Sequence, residues 1–223
     1  STMKIAILGG TGSIGEGFAL RWAQDEEIII GSRTPEKAKI AADIYLSKVE
    51  SCGFDMSGIK ISGLDNHDAA KRADLIVLTV MFEHVLTLIE DIYDALENKI
   101  LVTPVVPMKR IGDHFVYSPP PQGSAALAIK EAVPTSTRVV SVYHNIAAGK
   151  LKDMECEMEY DAVICSDDEV AKKILFDLTH EIGCLRPLDG GPLAVSNMVE
   201  SITPLLLNLA QMNGFEDVGI RFS

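Results

Sequence analysis

Six residues near the start of the chain, Gly10–Gly15 ("GTGSIG"), have the spacing G-x-G-x-x-G of a phosphate-binding loop. In such a loop the first glycine permits a tight turn, the second lets a pyrophosphate approach the backbone, and the third lets helix and strand pack closely. The backbone amides of Gly12, Ser13 and Ile14 are then expected to face phosphate at a helix N-terminus. Because the loop lies between an apolar run, Ile5–Leu8, and a helical pattern, the sequence predicts a dinucleotide site. A glycine-rich turn without a ligand is the alternative interpretation.

The residues after the second apolar run indicate which dinucleotide binds. An NAD site usually has Asp or Glu there to bind the ribose 2′-hydroxyl, but this chain has Ser32 and Arg33. An acid would repel a 2′-phosphate, whereas Ser32 and Arg33 would hold it by charge-assisted hydrogen bonds. Thr34 and Pro35 predict a helix start, which puts Lys37 in the first turn, where a cation opposes the helix dipole unless an anion binds. We therefore expect NADP rather than NAD, and a solvated Lys37 is the alternative.

A second glycine pattern suggests a different class of protein. Gly9, Gly12 and Gly15 also fit G-x-x-G-x-x-G, the loop of short-chain dehydrogenases, which use a Tyr-x-x-x-Lys pair for proton transfer. None of the five tyrosines has a lysine four residues on. An active enzyme of that kind is not expected, while a catalytically silent sensor on the same framework remains open.

Alternating apolar runs and helical patterns predict the elements that position these loops. Five short runs are apolar throughout, as in parallel strands that are covered on both faces: Met3–Leu8, Glu27–Gly31, Ile59–Ser62, Leu75–Val80 and Ile100–Thr103. Segments with helical spacing lie between them. This alternation predicts an α/β fold with a Rossmann-type doubly wound parallel sheet.

The second half of the chain predicts a smaller unit. Residues 104–124 are rich in proline and predict a loop, after which a helix at 124–132 and a strand at 138–143 complete the first domain. We expect an NADP-binding domain at 1–145 and a small C-terminal α/β domain at 146–223 that ends in a long apolar helix, Val195–Asn213.

That helix is apolar over most of its surface and so must be buried. Part of it is expected to meet a second subunit in a homodimer, and burial within one chain is the alternative. Pro204 is expected to kink the helix, with Glu200 bonding the backbone that the kink frees.

Ligands bind beyond the carboxyl ends of the strands in this fold. The residues there are mostly small, apolar or proline, which suits the packing of flat rings. His84 and His144 are the near-neutral titrating groups expected there, each either a structural hydrogen-bonding residue or a proton shuttle. No Ser/His/Asp, Tyr/Lys or paired-carboxylate constellation accompanies them, so no certain catalytic residue is assigned. Hydride transfer between two redox cofactors fits, because the cofactors hold the reactive carbon centres.

Composition argues against several other classes. The 223 residues carry a net charge of −12 without any Lys/Arg run, so nucleic acid is not an expected partner. The four cysteines are widely spaced with no C-x-x-C, so neither a metal site nor a disulfide is expected. We expect a cytoplasmic protein without a membrane partner, because the cysteine usage fits a reducing compartment and no apolar run approaches the roughly 20 residues of a membrane helix.

Longer stretches of the sequence resemble a known family. They are "GGTGSIGEGFALR", "GSRTPEKA", "VLTVMFEH", "TPVVP", "VVSVYHNIAA", the closing "GIRF" and, most specifically, "LRPLDGGPLAVSNMVESITPLLLNLAQMNG". Through nearly its whole length the chain resembles the archaeal and bacterial reductases that move hydride between NADP and the deazaflavin coenzyme F420. Met81-Phe82 departs from the proline–aromatic pair expected in this family before Glu83-His84. The difference affects the expected shape of the site next to these residues and not the expected reaction.

The resemblance implies a site residue by residue. NADP contacts would fall on the glycine loop and the second strand end, at Thr11, Gly12, Ser13, Ile14, Ser32, Arg33 and Lys37. Val80, His84 and Ala148 would lie on the nicotinamide side, and Leu207 would lie near F420 in a cleft that the C-terminal domain forms. Partners for the anionic tail of F420 are candidates by loop position only: Lys109, Arg110, Lys150 and Lys152.

The implied activity is reversible hydride transfer between NADP(H) and F420. An NADPH-dependent flavin or imine reductase and a non-catalytic NADP(H)-sensing binding module are the alternatives that the sequence leaves open.

Overall fold

The central sheet forms because its strands have no polar face that could be turned to water. The first, second and fourth strands each contain at least three consecutive fully buried apolar residues. In the computed structural model, which describes residues 2–223, the strands are β1 Lys4–Leu8, β2 Glu27–Ser32, β3 Ile61–Asp65, β4 Leu75–Leu78, β5 Ile100–Thr103, β6 Met108–Ile111, β7 His114–Tyr117, β8 Arg138–Ser141, β9 Asp161–Ser166 and β10 Arg186–Gly191.

Helices follow most of these strands and cover both faces of the sheet. They are α1 Ser13–Trp22, α2 Pro35–Ser51, α3 Asn66–Arg72, α4 Phe82–Ile92, α5 Ala125–Ala132, α6 Ala148–Lys152, α7 Glu169–His180, α8 Ser196–Glu200 and α9 Ile202–Asn213. One apolar core lies under α1, α2 and α7, and contains Phe18 stacked on Trp22 with ring centroids 4.9 Å apart. A second core lies under α3, α4 and α5 on the opposite face.

The order of the parallel strands confirms the predicted Rossmann-type fold. Six strands run parallel in the order β3-β2-β1-β4-β5-β8. The chain reverses its winding direction between β1 and β4, and in open α/β sheets the crevice at such a point binds the ligand. The fold therefore puts the ends of β1 and β4, with the loops that follow them, at the expected binding crevice.

The C-terminal part of the chain continues the same sheet. β9 pairs antiparallel with β8, and β10 pairs parallel with β9 at the sheet edge. The strands expected in a separate unit thus extend the sheet of the first domain, and the division at residue 145 stays a prediction.

A β-hairpin occupies part of the segment that was expected to be a loop. β6 and β7 pair antiparallel across the two-residue turn Gly112-Asp113, in which Gly112 has φ +62°. Glycine adopts this left-handed conformation without the steric cost that a Cβ brings. Two short runs separated by Gly-Asp are a sequence signal for a hairpin, but the flanking prolines obscured it.

The C-terminal apolar helix is broken rather than continuous. A short 3₁₀ turn, Leu193–Val195, leads into α8, which ends at Glu200, and α9 begins at Ile202. Pro204 therefore falls in the first turn of α9, where its missing N–H is not needed by the helix. We expected Glu200 to bond the backbone near Pro204, and it does not. Its carboxylate accepts hydrogen bonds instead from the N–H groups of Ala125 and Ala126, at 2.8 and 3.1 Å.

The same segment, Leu193–Asn213, is long and apolar enough to cross a membrane, and 33% of its most apolar window is buried. This corrects the expectation that no apolar segment approaches membrane length. The core helix of a globular protein passes the same test of length and composition, so the observation is weak evidence for a membrane.

Arg21 anchors the short helix α6 to α1. Its buried guanidinium donates to the carbonyl oxygens of Lys150, Leu151, Asp153 and Cys156, at 2.8 to 2.9 Å. Carbonyls at a helix C-terminus lack intrahelical partners, and the cation satisfies them. The chain that follows β8 is thereby held against the first helix of the glycine loop.

Candidate functional site

Three connected depressions lie along the carboxyl edge of the parallel strands. The first, the glycine-loop groove, has a volume of about 710 Å³ and is lined by residues that include Gly9, Thr11, Ser32, Arg33, Lys37, Asp65, Val80 and His84. The second, the central cleft, has about 630 Å³ and is lined by residues that include Ile14, Val80, Pro104, Pro107, Lys109, Tyr143 and His144. The third, the side pocket, has about 300 Å³ and is lined by residues that include His144, Ala148, Thr203 and Leu207.

Shared residues join these depressions into one path. Val80, which follows β4, lines both the groove and the central cleft. His144, Ile146 and Thr203 line both the central cleft and the side pocket. The three depressions therefore adjoin one another along the edge of the sheet, and together they are called the trough.

The glycine loop has the geometry of a phosphate cradle, with one change from the expectation. The tight turn is made at Gly9, which has φ +70°, rather than at Gly10. A Cβ at Gly15 would lie 2.5 Å from the Cα of Gly10, so the close packing of helix on loop expected at Gly15 is present. A Cβ at Gly12 would meet no described atom within 4 Å, which leaves open space above the start of α1.

The N-terminus of α1 lacks a cap from its own sequence. Gly12 is the N-cap residue and offers no side-chain hydrogen bond, although the first N–H groups of any helix need partners from outside it. Thr11, Gly12 and Ser13 are exposed, while Ile14 turns into the central cleft. A bound anion would satisfy these N–H groups and align with the helix dipole.

Two hydroxyl groups that sequence reasoning had not assigned to the site hold this loop in place. The buried Tyr45 hydroxyl donates to the Gly10 carbonyl at 2.7 Å, and its burial raises the pKa of Tyr45 to about 12. Thr79 Oγ1 donates to the Leu8 carbonyl, also at 2.7 Å. Tyr45 lies on the buried face of α2 with Ala38, Ala42 and Val49, and only the docking of α2 beneath the loop reveals its second role.

The glycine-loop groove contains two cations, Arg33 and Lys37, beside the carboxylates of Asp65 and Asp91. Arg33 and Lys37 are exposed and line it together with Ser32, whose Oγ accepts from the Thr34 N–H at 3.2 Å. Thr34 begins α2 without a side-chain cap, and Pro35 follows it in the first turn. This uncapped helix start beside two cations can accept a phosphate group.

The structure separates His84 from Ala148, although the resemblance implied that both lie on the nicotinamide side. His84 is exposed and lines the groove that holds Arg33 and Lys37, while Val80 lies between groove and cleft. Ala148 and Leu207 lie in the side pocket, on the other side of His144. These assignments to a ligand stay predictions, and the structure adds where each side chain lies.

His144 is the titratable group at the junction of cleft and side pocket. It is 7% exposed, and its Nε2 lies 3.0 Å from Ser141 Oγ. Its Nδ1 is buried and has no partner among the described residues. Burial lowers the pKa of His144 to about 3, so the ring is neutral at neutral pH and is not a ready proton donor.

Thr203 fixes the backbone around His144. Its Oγ1 lies 2.8 Å from the His144 carbonyl oxygen and 2.7 Å from Asn145 Oδ1. Because Thr203 belongs to α9, the C-terminal helix holds the loop after β8 at the trough.

Within residues 2–223 no group of three or more His, Cys, Asp or Glu side chains could hold a metal ion. The expectation of no metal site stays a prediction.

The strand order, the glycine loop at the winding reversal and the uncapped start of α1 define a Rossmann-type dinucleotide-binding protein. Residues 4–107 match the family model of coenzyme F420-dependent NADP oxidoreductases. The F420-dependent NADP reductase of Methanocaldococcus jannaschii is 39% identical over 225 residues, which cover 99% of this chain and 98% of the relative. That of Methanothermobacter thermautotrophicus is 38% identical over 225 residues, which cover 99% of this chain and 95% of the relative. A solved structure from an Arthrobacter species has a TM-score of 0.82 at 21% identity over 99% of both chains, which confirms the fold. The chain belongs to the family of coenzyme F420-dependent NADP oxidoreductases.

We expect the His144 ring to remain neutral from pH 8 to about pH 5, because its burial disfavours the charged form. Asp94 raises the pKa of His67 above its usual value, so His67 serves as an internal reference that gains its proton at higher pH than His144. Ring-carbon NMR shifts of the unliganded protein, assigned with His144→Gln and His67→Gln, measure both. A His144 midpoint near the ordinary pKa of 6.5 would contradict this expectation and restore the proton-shuttle interpretation.

Proposed function

We propose that this protein catalyses the reversible transfer of a hydride between NADP(H) and the deazaflavin coenzyme F420. The observation that carries the proposal is the continuity, at Val80, of a groove that contains two cations and a cleft lined by apolar and proline residues. A ligand that spans both has to pass Val80. Membership of the family, over the whole chain, supports F420 as the second substrate.

The residues of the groove fit a dinucleotide with a 2′-phosphate. The open space at Gly12 and the uncapped start of α1 suit the pyrophosphate. Arg33 and Lys37 suit the additional phosphate, with the Ser32 hydroxyl beside them. Thr11, Ser13 and Ile14 complete the loop contacts in this proposal.

The central cleft and side pocket suit flat rings rather than acid–base chemistry. Pro104, Val106 and Pro107 form a rigid apolar wall, and the Val80 side chain lies beside Gly9 of the glycine loop. NADPH and F420 supply the redox chemistry: a C–H bond of the dihydronicotinamide breaks, its hydride forms a C–H bond on the deazaflavin, and solvent supplies the accompanying proton. The protein aligns the rings and excludes water.

His144 takes a positioning role in this proposal. Its neutral ring lines both cavities, and its buried Nδ1 lacks a partner among the described residues. A polar edge of a ring bound there would satisfy that nitrogen, since buried polar groups are nearly always hydrogen-bonded. Ala148 and Leu207 would pack against the same ligand from the side pocket.

We also propose a homodimer that covers the exposed face of the C-terminal helices. Met198, Leu205 and Met212 are 65%, 55% and 56% exposed, and Leu209 is 40% exposed. A row of large apolar side chains in water indicates an interaction surface. The four free cysteines support a reducing, cytoplasmic location as part of the same proposal.

Purified protein mixed with NADPH and oxidised F420 is expected to remove the absorbance of the oxidised deazaflavin and of NADPH in equal amounts. Flavin mononucleotide as the acceptor is the control, and it should be reduced more slowly. Faster reduction of flavin would favour the flavin reductase alternative. If both NADPH and F420 bind and no acceptor is turned over, the sensing-module interpretation replaces ours.

Arg33→Ala should weaken NADPH binding about ten- to a hundredfold, because a charge-assisted hydrogen bond contributes about 1.5–3 kcal/mol. NADH, which has no 2′-phosphate, should change little. Lys37→Ala should act in the same direction and more weakly, because its ammonium is strongly hydrated. Titration calorimetry measures these affinities, with Arg72→Ala as a control that removes an exposed charge outside the groove. Equal weakening of NADPH and NADH by Arg33→Ala would sink the phosphate-clamp interpretation.

The wild-type protein is expected to sediment as two chains, and Leu205→Asp should shift it toward one chain, because a buried carboxylate opposes association. Ile40→Asp is the matched control, since Ile40 is 60% exposed on α2, away from this face. Analytical ultracentrifugation measures the mass. A wild-type monomer at all concentrations, or equal dissociation of both variants, would contradict the proposed interface.

A further inference from the structure

The hairpin of β6 and β7 forms one wall of the central cleft, and it carries charge in a protein of net charge −12. Met108 and Lys109 of β6 line the cleft, and Ser118 lines it just beyond β7. An isolated two-stranded hairpin is only marginally stable in water. Its position at the cleft therefore depends on contacts with the rest of the chain.

Two side chains of the C-terminal helices dock this hairpin. The Asn208 amide accepts from the Phe115 N–H at 2.7 Å and donates to the Phe115 carbonyl at 2.9 Å, which satisfies the edge of β7 as a neighbouring strand would. The Tyr117 hydroxyl donates to the fully buried Glu200 carboxylate at 2.9 Å. Glu200 also binds the N-terminus of α5 through Ala125 and Ala126, so hairpin, α5 and α8 share one buried anion.

The structure distinguishes the four candidate cations for the anionic tail, which loop position alone could not do. Arg110 lies over the Phe115 ring, 5.6 Å from its centroid, and donates to the Gly112 carbonyl. Lys150 is hydrogen-bonded to the Tyr160 hydroxyl, and Lys152 lies 3.8 Å from Glu16. Lys109 lines the central cleft and Arg110 does not, and as neighbouring residues of a strand the two side chains point to opposite faces of the hairpin.

Lys109 is the one cation among the described residues that line the central cleft. It is exposed, and no hydrogen bond or ion pair within residues 2–223 engages its ammonium group. The other charged residue of the lining is Glu83, on α4. In a strongly acidic protein an anionic substrate meets an unfavourable overall field, so its recognition needs a local cation of this kind.

We propose that Lys109 recognises the anionic group of the second substrate, and that Asn208 and Glu200 are positioning residues that hold its hairpin at the cleft. The inference rests on the proposed function and deepens it, because it assigns the residue that selects a deazaflavin carrying an anionic tail over one that lacks it. Arg33 and Lys37 lie in the groove beyond Val80 and serve the other substrate, so one cationic site serves each ligand.

The test compares Lys109→Ala with Arg110→Ala, which removes the same charge from the opposite face of the same hairpin. Steady-state kinetics are measured with F420 and with the same deazaflavin after removal of its anionic tail, at two salt concentrations. Lys109→Ala should raise the KM for F420 about two- to fivefold at low salt, as expected for an exposed ion pair. It should leave kcat, the KM for NADPH and the KM for the tail-free deazaflavin unchanged, and high salt should reduce the difference.

Asn208→Leu tests the positioning role. It should raise the KM for F420 in the same direction without changing the KM for NADPH, and Lys109→Ala in that background should add little, because a displaced lysine is already ineffective. Equal effects of Lys109→Ala on both deazaflavins, or equal effects of Lys109→Ala and Arg110→Ala, would overturn the assignment. Failure of the wild-type protein to reduce either deazaflavin would instead remove the proposed function, so the two failures are distinguishable.

Discussion

The close approach of α1 to the turn after β1 is the constraint on which the rest of the site depends. Gly15 permits it, because any Cβ there would collide with the backbone of Gly10. The approach aims the uncapped start of α1 at the crevice where the sheet reverses its winding. The hydrogen bond from the Tyr45 hydroxyl to the Gly10 carbonyl and the left-handed backbone conformation of Gly9 fix the turn in that position. A loop held by backbone geometry presents its N–H groups without the entropy that mobile side chains lose on binding a ligand.

Charge is distributed sparingly in this molecule. A chain with 32 acidic and 20 basic residues places Arg33 and Lys37 in the glycine-loop groove and Lys109 in the central cleft. Cations with acidic partners, such as Arg186 with Asp161 and Lys172 with Asp189, serve the C-terminal strands instead. Arg33, Lys37 and Lys109 form no ion pair within residues 2–223, which leaves them available for the ligands of the proposed function.

The residues that the central cleft shares with the side pocket carry no charge at neutral pH, and this suits the proposed chemistry. His144 is neutral because it is buried, Tyr143 is buried with its hydroxyl on Thr179, and the facing wall is proline and valine. A hydride carries its electron pair with it, so the protein need not hold a charged acid or base beside the reacting carbons. What the protein has to provide in the proposed reaction is alignment of the two rings. The hydrogen bonds of Thr203 and the docking of the hairpin position the residues that line the cleft.

The sequence by itself determined the elements whose signals are local. Short apolar runs between helical patterns are typical of strands that are covered on both faces, so β1, β4 and β5 were predicted to within about two residues, and the spacing Gly10–Gly15 was enough to predict the cradle. Family-specific motifs added the residues of the groove. These features depend on neighbours a few residues apart, and the sequence displays such neighbours directly.

Only the tertiary structure decided what depends on distant partners. The hairpin holds its place through Asn208 and Glu200, which lie more than 80 residues further along the chain, and the apolar residues 195–213 did not reveal that the helix breaks at Ser201. The neutral state of His144 and the second role of Tyr45 come from burial under other elements. Burial and long-range hydrogen bonds are properties of the packed chain, because they depend on which surfaces meet, and residue spacing does not encode that directly.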